Sequence, residues 1–507
     1  MAPTSEPLDV GAFTRLVDEG YNVIPLVVTV QLDRDTPVSL YQRLAPDAVF
    51  LLESAGQGEV TGRYSFLGVG RRWRLHTTGG RTQLEGLDAP VDPDGPLRTL
   101  RAILRGYRAY APPQLPDFFG GAVGYVAYDY VRRLEHLERP DAPEGADVDF
   151  TFPAALLVVD HFRYSTSVVV PAVVASATLV QQAYDDARAT LEGLLARLLA
   201  SAPETDPRIE RLVATAPAQR EGLDIRALAT RLSNLTAVQY EEIVARAQQH
   251  IRAGDIFQVV VGQRFRRPSD VDPLTLYRVL RALNPSPYMY LLNTGGAHIV
   301  GASPEMLVRV HQGRVSTRPI AGTRARGLTD EDDRRLESEI LRDEKEGAEH
   351  VMLVDLGRND IGRVARPGTV TVERLAHIER YSHLLHLVSD VSGELREGLD
   401  AFDAFDAVFP AGTLSGAPKV RAMEIIDELE PVRRGPYGGA VGYFALAGGA
   451  DFAITIRTVV IDAGQATVNA GGGIVADSTP AGEYQECLTK ASAPLLALEI
   501  ADPATGA

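Results

Sequence analysis

The sequence predicts an α/β fold laid out in two regions. Apolar, β-branched runs of strand length recur between Tyr21 and Phe162. From Ser233 to about Glu499, strand-like and helix-like patterns alternate. The expected organisation is an N-terminal tail (1–20), an N-terminal region (21–165), a helical segment with a linker (166–232), a large C-terminal region (233–500) and a C-terminal tail (501–507).

In chain order, Val23–Val30 and Ala154–Val159 read as strands, and the Ala/Leu-rich stretch from Val180 to Ala200 reads as a helix. Ser201 to Leu223 is polar and contains prolines, the pattern of a loop or exposed linker. Thr236 and Gln239 have capping-box spacing, and Ile243, Ala247 and Ile251 then repeat at helical spacing. Gly254 is placed to end that helix, and Asp255–Val261 reads as a buried strand. The apolar run Val351–Val354 suggests that a helix carrying Glu346 and Glu349 enters the core. The last helix has Ser478 or Thr479 as its cap and Pro480 at its first position. Gly120-Gly121-Ala122-Val123-Gly124-Tyr125 recurs as Gly438-Gly439-Ala440-Val441-Gly442-Tyr443, so each region is expected to hold one copy in a strand, with close backbone approach at the glycines.

Composition narrows the function classes. The chain has 507 residues, 45% hydrophobic, enough for a substantial core. A net charge of −16 argues against a nucleic-acid binder, which needs a basic face to displace counterions. No apolar run reaches the roughly 18 residues of a membrane span, and the N-terminus lacks a basic start and apolar stretch. A cytoplasmic protein with no membrane or nucleic-acid partner fits these features. The single cysteine, Cys487, rules out an intrachain disulfide and a cysteine-based zinc cluster. It lies in a helical pattern rather than on an exposed turn, so it reads as a buried filler and not as a nucleophile for cleaving glutamine.

Several residues carry candidate chemistry. Glu346 with Glu349, and Glu483 with Glu486, are each three apart, on one face of a helix. Such pairs can be solvated faces. Brought together, they would offer four carboxylates to a hard cation such as Mg2+. Arg457 lies in a strand pattern, where a buried arginine is costly unless paired. Gly471, Gly472 and Gly473 follow the strand Ala466–Asn469 and could present amides to an anion. Lys490 lies one turn beyond Glu486. Glu305 at a strand end and His386 among apolar residues are open to either a structural or a catalytic role.

Four features carry a resemblance: the turn Arg318-Pro319-Ile320-Ala321-Gly322-Thr323-Arg324-Ala325-Arg326-Gly327, the segment Gly301–Glu305 (GASPE), the segment Gly412–Lys419 (GTLSGAPK), and the two Glu-x-x-Glu pairs. With these the chain resembles the chorismate-utilising enzymes, from about Tyr21 to Glu499 and most densely after Ser233. The resemblance implies an α/β sandwich with central antiparallel β-sheets and helices packed outside, not a doubly wound parallel sheet. It implies Glu349 and Glu486 as direct Mg2+ ligands, with Glu346 and Glu483 acting through metal-bound water. It implies that Arg457, Tyr437 and the Gly471–Gly473 amides hold the pyruvyl carboxylate of chorismate. Lys490 and the metal would neutralise the ring carboxylate, and Thr323 and Thr413 would line the pocket. Glu305 matches the family's general acid, and His386 matches the histidine tied to pyruvate expulsion.

Two positions separate the branches of that family. Branches that activate water carry a lysine where this chain has Gln258, and a neutral amide is no general base. The branch making 4-amino-4-deoxychorismate carries a nucleophilic lysine where this chain has Ala321. The expected reaction is therefore direct attack of ammonia on chorismate, giving anthranilate and pyruvate through an aminodeoxyisochorismate intermediate, in tryptophan biosynthesis. The alternatives are the 4-amino branch and a non-catalytic tryptophan-binding subunit. Leu51–Ser54, with Glu53 and Ser54, and Asn284–Tyr290, with Asn284, Pro285, Tyr288 and Met289, resemble the two halves of a tryptophan feedback site, and Pro25 matches a third contact. A separate glutamine amidotransferase subunit in a hetero-oligomer is the expected ammonia source.

Overall fold

The structure is a computed structural model that describes residues 6–32, 34–55, 62–135, 137, 145–200, 206–219, 222–327, 329–380 and 384–502. The side chains of Thr323, Ala325, Lys345 and Leu384 lie outside the description.

Among the described residues, twenty strands form one hydrogen-bonded network, and every pairing between them is antiparallel. Helices pack on its outer faces, as the sandwich resemblance implies. At the N-terminal base, Val23–Val30 pairs with Ser165–Val173, a strand that runs past the expected boundary at 165 into the stretch read as helix and linker; it pairs with Val148–Asp160, which pairs with Tyr64–Thr78. Two arms leave this base. One runs from Ala48–Glu53 through Tyr288–Asn293, Ala297–Ser303, Thr458–Asp462 and Gln465–Ile474 to Gln258–Pro268. The other runs from Gly121–Val126 through Ala440–Ala445, Ala450–Ile454, Met306–His311 and Arg314–Thr317 to Leu384–Glu394.

The repeated Gly-rich segments form the root of the second arm. They pair with each other, Gly124 opposite Gly442, so the repeat joins the two regions instead of marking two separate sheets. A Cβ on Gly124 would stand 1.9 Å from the Asp149 carbonyl oxygen, and one on Gly442 2.0 Å from that of Asp451. Glycine is what permits these strands to pack so closely.

Local signals explain the helices. Thr236 and Gln239 form the reciprocal capping box that opens Ala237–Ala253, and Gly254 closes it in the left-handed region at φ +84. Thr479 caps Pro480–Ala501 through the Gly482 N–H. That helix covers Gln465–Ile474 and packs against Ala237–Ala253 and Pro273–Leu283. The strand read as Asp255–Val261 begins at Gln258 and runs to Pro268.

The stretch read as a linker contains a helix, Pro207–Gln219. Residues 201–205 and 220–221 lie outside the description. The helix forms because Ile209, Leu212, Val213 and Ala216 recur at helical spacing inside polar sequence, and Ala216 is fully buried. Its polar surface hid this stripe from a reading by composition.

Cys487 is fully buried in the last helix, and burial pushes its thiol up to about 11. The expected result with a chromogenic disulfide reagent is no reaction in the native protein and one thiol released after unfolding.

Among the described residues, no helix is long and apolar enough to cross a membrane.

Candidate active site

The site forms where the chain crosses from one arm to the other. Ala297–Ser303 belongs to the first arm and Met306–His311 to the second, and Glu305 lies in the crossing between them. Ala450–Ile454 belongs to the second arm and Thr458–Asp462 to the first, and Arg457 lies in that crossing. The crossings are tied together: the Ile454 N–H donates to the Glu305 carbonyl at 3.0 Å, and the Ala302 N–H to the Arg457 carbonyl at 3.2 Å. Arg457 adopts φ +50, a left-handed conformation uncommon for a bulky residue and characteristic of functional sites.

Glu305 is 9% exposed, and Thr413 Oγ1 donates to its Oε1 at 2.9 Å. Burial pushes its carboxyl up to about 7, against the lowering effects of the Thr413 hydrogen bond and of the Lys490 and Arg457 charges. A carboxyl so placed holds its proton near neutrality, as a general acid must. Thr413 sits in the short turn Gly412–Leu414, and it lines a small cavity together with Glu305 and Asp360.

His386 lies in Leu384–Glu394, opposite Thr323. It is 4% exposed, and burial followed by the Arg457 charge pushes its imidazole down to about 4. The ring is neutral at neutral pH, a hydrogen-bonding group and a weak proton acceptor rather than a standing cation. Glu305, Thr413, Arg457, Lys490 and His386 are thus drawn into one electrostatic neighbourhood.

Gly471, Gly472 and Gly473 lie within the strand Gln465–Ile474, not beyond its end. Their pairing with Gly262, Val261 and Val260 extends the strand past Asn469, because the glycines fit against Gln258–Pro268. A Cβ on Gly472 would meet Glu483 Oε2 at 2.6 Å, and one on Gly473 would meet Gln258 Nε2 at 2.8 Å. The Gly472 N–H donates to the Tyr240 hydroxyl at 3.3 Å, so this amide is engaged within the protein. Tyr437 is buried with Arg434 over its ring and lines a separate cavity of about 570 Å3 between the arms, together with Arg264 and Thr455.

The four glutamates lie on two helices, Glu344–Gly362 and Pro480–Ala501, as their spacing suggests. Their oxygen donors suit magnesium. As arranged, they do not gather into an ion-binding group: among the described residues no three His, Cys, Asp or Glu side chains converge to hold a metal. Glu346 accepts from Arg324 Nη1 at 3.1 Å, Glu483 from Ser478 Oγ at 2.6 Å, and Glu486 pairs with Lys490 at 2.8 Å. Lys490 and Glu486 are both exposed and hold each other, a pairing that their separate expected roles did not anticipate.

The segments expected to bind tryptophan do come together. Glu53 pairs in register with Met289, and the Ala55 N–H donates to the Ser286 carbonyl at 3.1 Å. Glu53 is buried, accepts from the Tyr277 hydroxyl and lies 3.5 Å from Arg281. The Tyr288 hydroxyl donates to Asp451 at 3.1 Å. Pro25 pairs with Pro171 in the N-terminal region.

Two contributors escaped the sequence reading, and a third makes a contact that it did not give. Lys419, the last residue of GTLSGAPK, is partly buried, and its Nζ donates to Asp360 at 2.9 Å and to the Val408 carbonyl at 3.0 Å. Arg324, inside the signature turn, holds Glu346. Asn284 reaches Arg457, 173 residues away. All three lie within recognised segments; nothing local signals that Asn284 reaches Arg457.

The family model of the chorismate binding enzymes matches residues 47–496. The chain is 45% identical over 493 residues to anthranilate synthase component 1 of Acetivibrio thermocellus, covering 96% of this chain and 97% of that protein. It is 48% identical over 511 residues to the Mycobacterium bovis protein of the same name, covering 96% and 95%. The crystal structure of anthranilate synthase component I from Streptococcus pneumoniae superposes with a TM-score of 0.72 at 34% identity, covering 92% of this chain and 98% of that one. The menaquinone-specific isochorismate synthase of Escherichia coli, at 18% identity and a TM-score of 0.67 over 96% and 99% of the two chains, shares the fold. Matched along nearly its whole length, this chain belongs to the chorismate binding enzyme family, in the group of the anthranilate synthase component 1 proteins.

Proposed function

We propose that this protein converts chorismate and ammonia to anthranilate and pyruvate. The observation that carries the proposal is the buried Glu305 carboxyl, raised to about 7 and hydrogen-bonded to Thr413, within the fields of Arg457 and Lys490. The ring hydroxyl of chorismate is a poor leaving group until protonated. Glu305 delivers that proton, and Thr413 orients its Oε1. Arg457 binds one substrate carboxylate and Lys490 faces the other; the glycine strand and Tyr437 would join Arg457 only if the Gly472 amide left Tyr240 and the Tyr437 cavity opened to the site. Thr323 lines the pocket through the turn strand, its side chain lying outside the described residues. His386, neutral at working pH, takes part in the proton movement that releases pyruvate. Gln258 and Ala321 provide neither a base for water nor an amine nucleophile, which leaves external ammonia as the attacking group.

Magnesium belongs to the proposal on donor chemistry. Glu349 and Glu486 would hold the ion directly and Glu346 and Glu483 through bound water, which requires Glu486 to exchange Lys490, and Glu346 to exchange Arg324, for the hydrated ion. No step is assigned to the ion. Ammonia from glutamine needs a nucleophile outside these 507 residues, because Cys487 is buried, and a glutaminase subunit is the proposed source. Tryptophan is the proposed inhibitor, bound between Glu53–Ser54 and Asn284–Met289, with Pro25 as the third contact that the resemblance implies. The acidic, cysteine-poor chain suits the cytoplasm.

The test varies the nitrogen source with the purified protein. Ammonium salt with magnesium and chorismate is expected to give product, glutamine alone none, and EDTA is expected to stop the reaction. Product formed without any ammonium would contradict the proposal.

A further inference from the structure

Among the described residues, Asn284 is the one hydrogen-bond partner of the Arg457 guanidinium: Arg457 Nη1 donates to Asn284 Oδ1 at 3.2 Å. The other N–H donors of Arg457 are left for other acceptors. Asn284 is itself held firmly. Its backbone N–H closes the helix Pro273–Leu283 on the Leu280 carbonyl, and its Nδ2 donates to Ser286 Oγ at 3.3 Å and to the Ala302 carbonyl at 3.5 Å. Ala302 in turn donates its N–H to the Arg457 carbonyl. One carboxamide therefore bridges both crossings that build the site, and its oxygen fixes the direction of the guanidinium.

The chemistry of the partner matters. A carboxylate at position 284 would pair with Arg457 and cancel its charge. An amide oxygen orients the guanidinium and leaves the charge available for an anion. The carboxyl whose charge acts on Arg457, Glu305, is raised to about 7 and so is partly neutral at working pH. Arg457 is thus a cation without a full counter-charge, already aimed, at the crossing that carries the acid.

We infer that Asn284 is a positioning residue for substrate binding: its neutral amide aims the Arg457 guanidinium at a carboxylate of the substrate. The inference rests on the proposed reaction, and it gives Asn284 a role in turnover besides any contact with an inhibitor. Tyr290, on the strand that follows, reinforces the same place, since its hydroxyl and Thr458 Oγ1 share a 2.6 Å hydrogen bond.

The test compares wild type, Asn284→Ala and Asn284→Asp by steady-state kinetics in chorismate and in ammonium, with thermal melting as the check on folding. Losing one hydrogen bond to a charged group is expected to raise the KM for chorismate about tenfold in N284A, leaving the KM for ammonium and kcat nearly unchanged. N284D keeps an oxygen at the same place but neutralises Arg457, so its KM for chorismate is expected to exceed that of N284A. A folded N284A with the wild-type KM for chorismate would overturn the inference. So would N284D behaving as wild type, which would show that only local geometry matters there. Wild-type turnover is the control. Its absence would overturn the functional reading and this inference together, whereas normal turnover with an unmoved KM in the variants overturns the inference alone.

Discussion

Glu305→Gln is expected to lower kcat by roughly 10²–10⁴-fold while leaving the KM for chorismate nearly unchanged. The amide keeps the shape and still meets the Thr413 hydroxyl, but it has no proton to give the leaving hydroxyl. The pH dependence carries a second signature. Burial raises the Glu305 carboxyl to about 7, so the acid form prevails below that pH and is lost as the pH rises through it. At a fixed concentration of free ammonia, wild-type kcat should therefore fall as pH rises through 7, and the residual activity of E305Q should not show that fall. Glu305→Asp should recover part of the rate, because it restores a proton at a displaced position. Wild-type rates in E305Q would remove the general acid from the mechanism.

Glu430→Ala is expected to destabilise the fold by about 3–5 kcal/mol, read as a lower midpoint in urea unfolding. Glu430 and Arg434 form an ion pair at 2.6 Å, with side chains only 5% and 2% exposed. Glu430 also accepts the Gly262 N–H at 2.7 Å, and Arg434 donates to the carbonyls of Leu414 at 2.5 Å and Val260 at 2.7 Å. The pair ties the end of the helix Lys419–Leu429, the strand Gln258–Pro268 and the Gly412–Leu414 turn into one unit. Removing the carboxylate leaves a buried guanidinium charge uncompensated, and that dominates the cost. Replacing both partners, as in E430L/R434M, should recover much of the loss in stability. It should not recover activity, because Leu414 adjoins Thr413, the residue that orients Glu305. An E430A variant with a wild-type midpoint would mean that the pair is balanced by its own desolvation.

Local chemistry was legible in the sequence; long-range pairing was not. The Thr236–Gln239 box, the Gly254 stop and the Thr479-Pro480 start each depend on neighbouring residues and stand as read. The strand Val23–Val30 was legible because it is apolar on both faces. The helix Pro207–Gln219 was missed because prolines and charges outnumber its narrow apolar stripe. The Gly-rich repeat was visible, but that its two copies pair with each other depends on register between segments more than 300 residues apart.

The site divides in the same way. Glu305, Thr413, Arg457 and His386 stood inside recognisable segments, and the fold draws them together. The glutamate pairs were legible as helix faces. Spacing could not reveal that Arg324 and Lys490 hold two of them, since the orientation of a long side chain follows from packing. Asn284 read as part of a ligand-binding turn, and its contact with Arg457 exists only because the two arms meet at that crossing.

The identity of the product decides which reaction the site performs. The purified protein is incubated with chorismate, magnesium and an ammonium salt at mildly alkaline pH, where part of the ammonia is unprotonated, and the products are resolved by chromatography. Anthranilate and pyruvate are expected in equal amounts. A 4-amino product that keeps its pyruvyl group, or isochorismate, would contradict the proposed reaction and would show that Ala321 and Gln258 do not set the nucleophile.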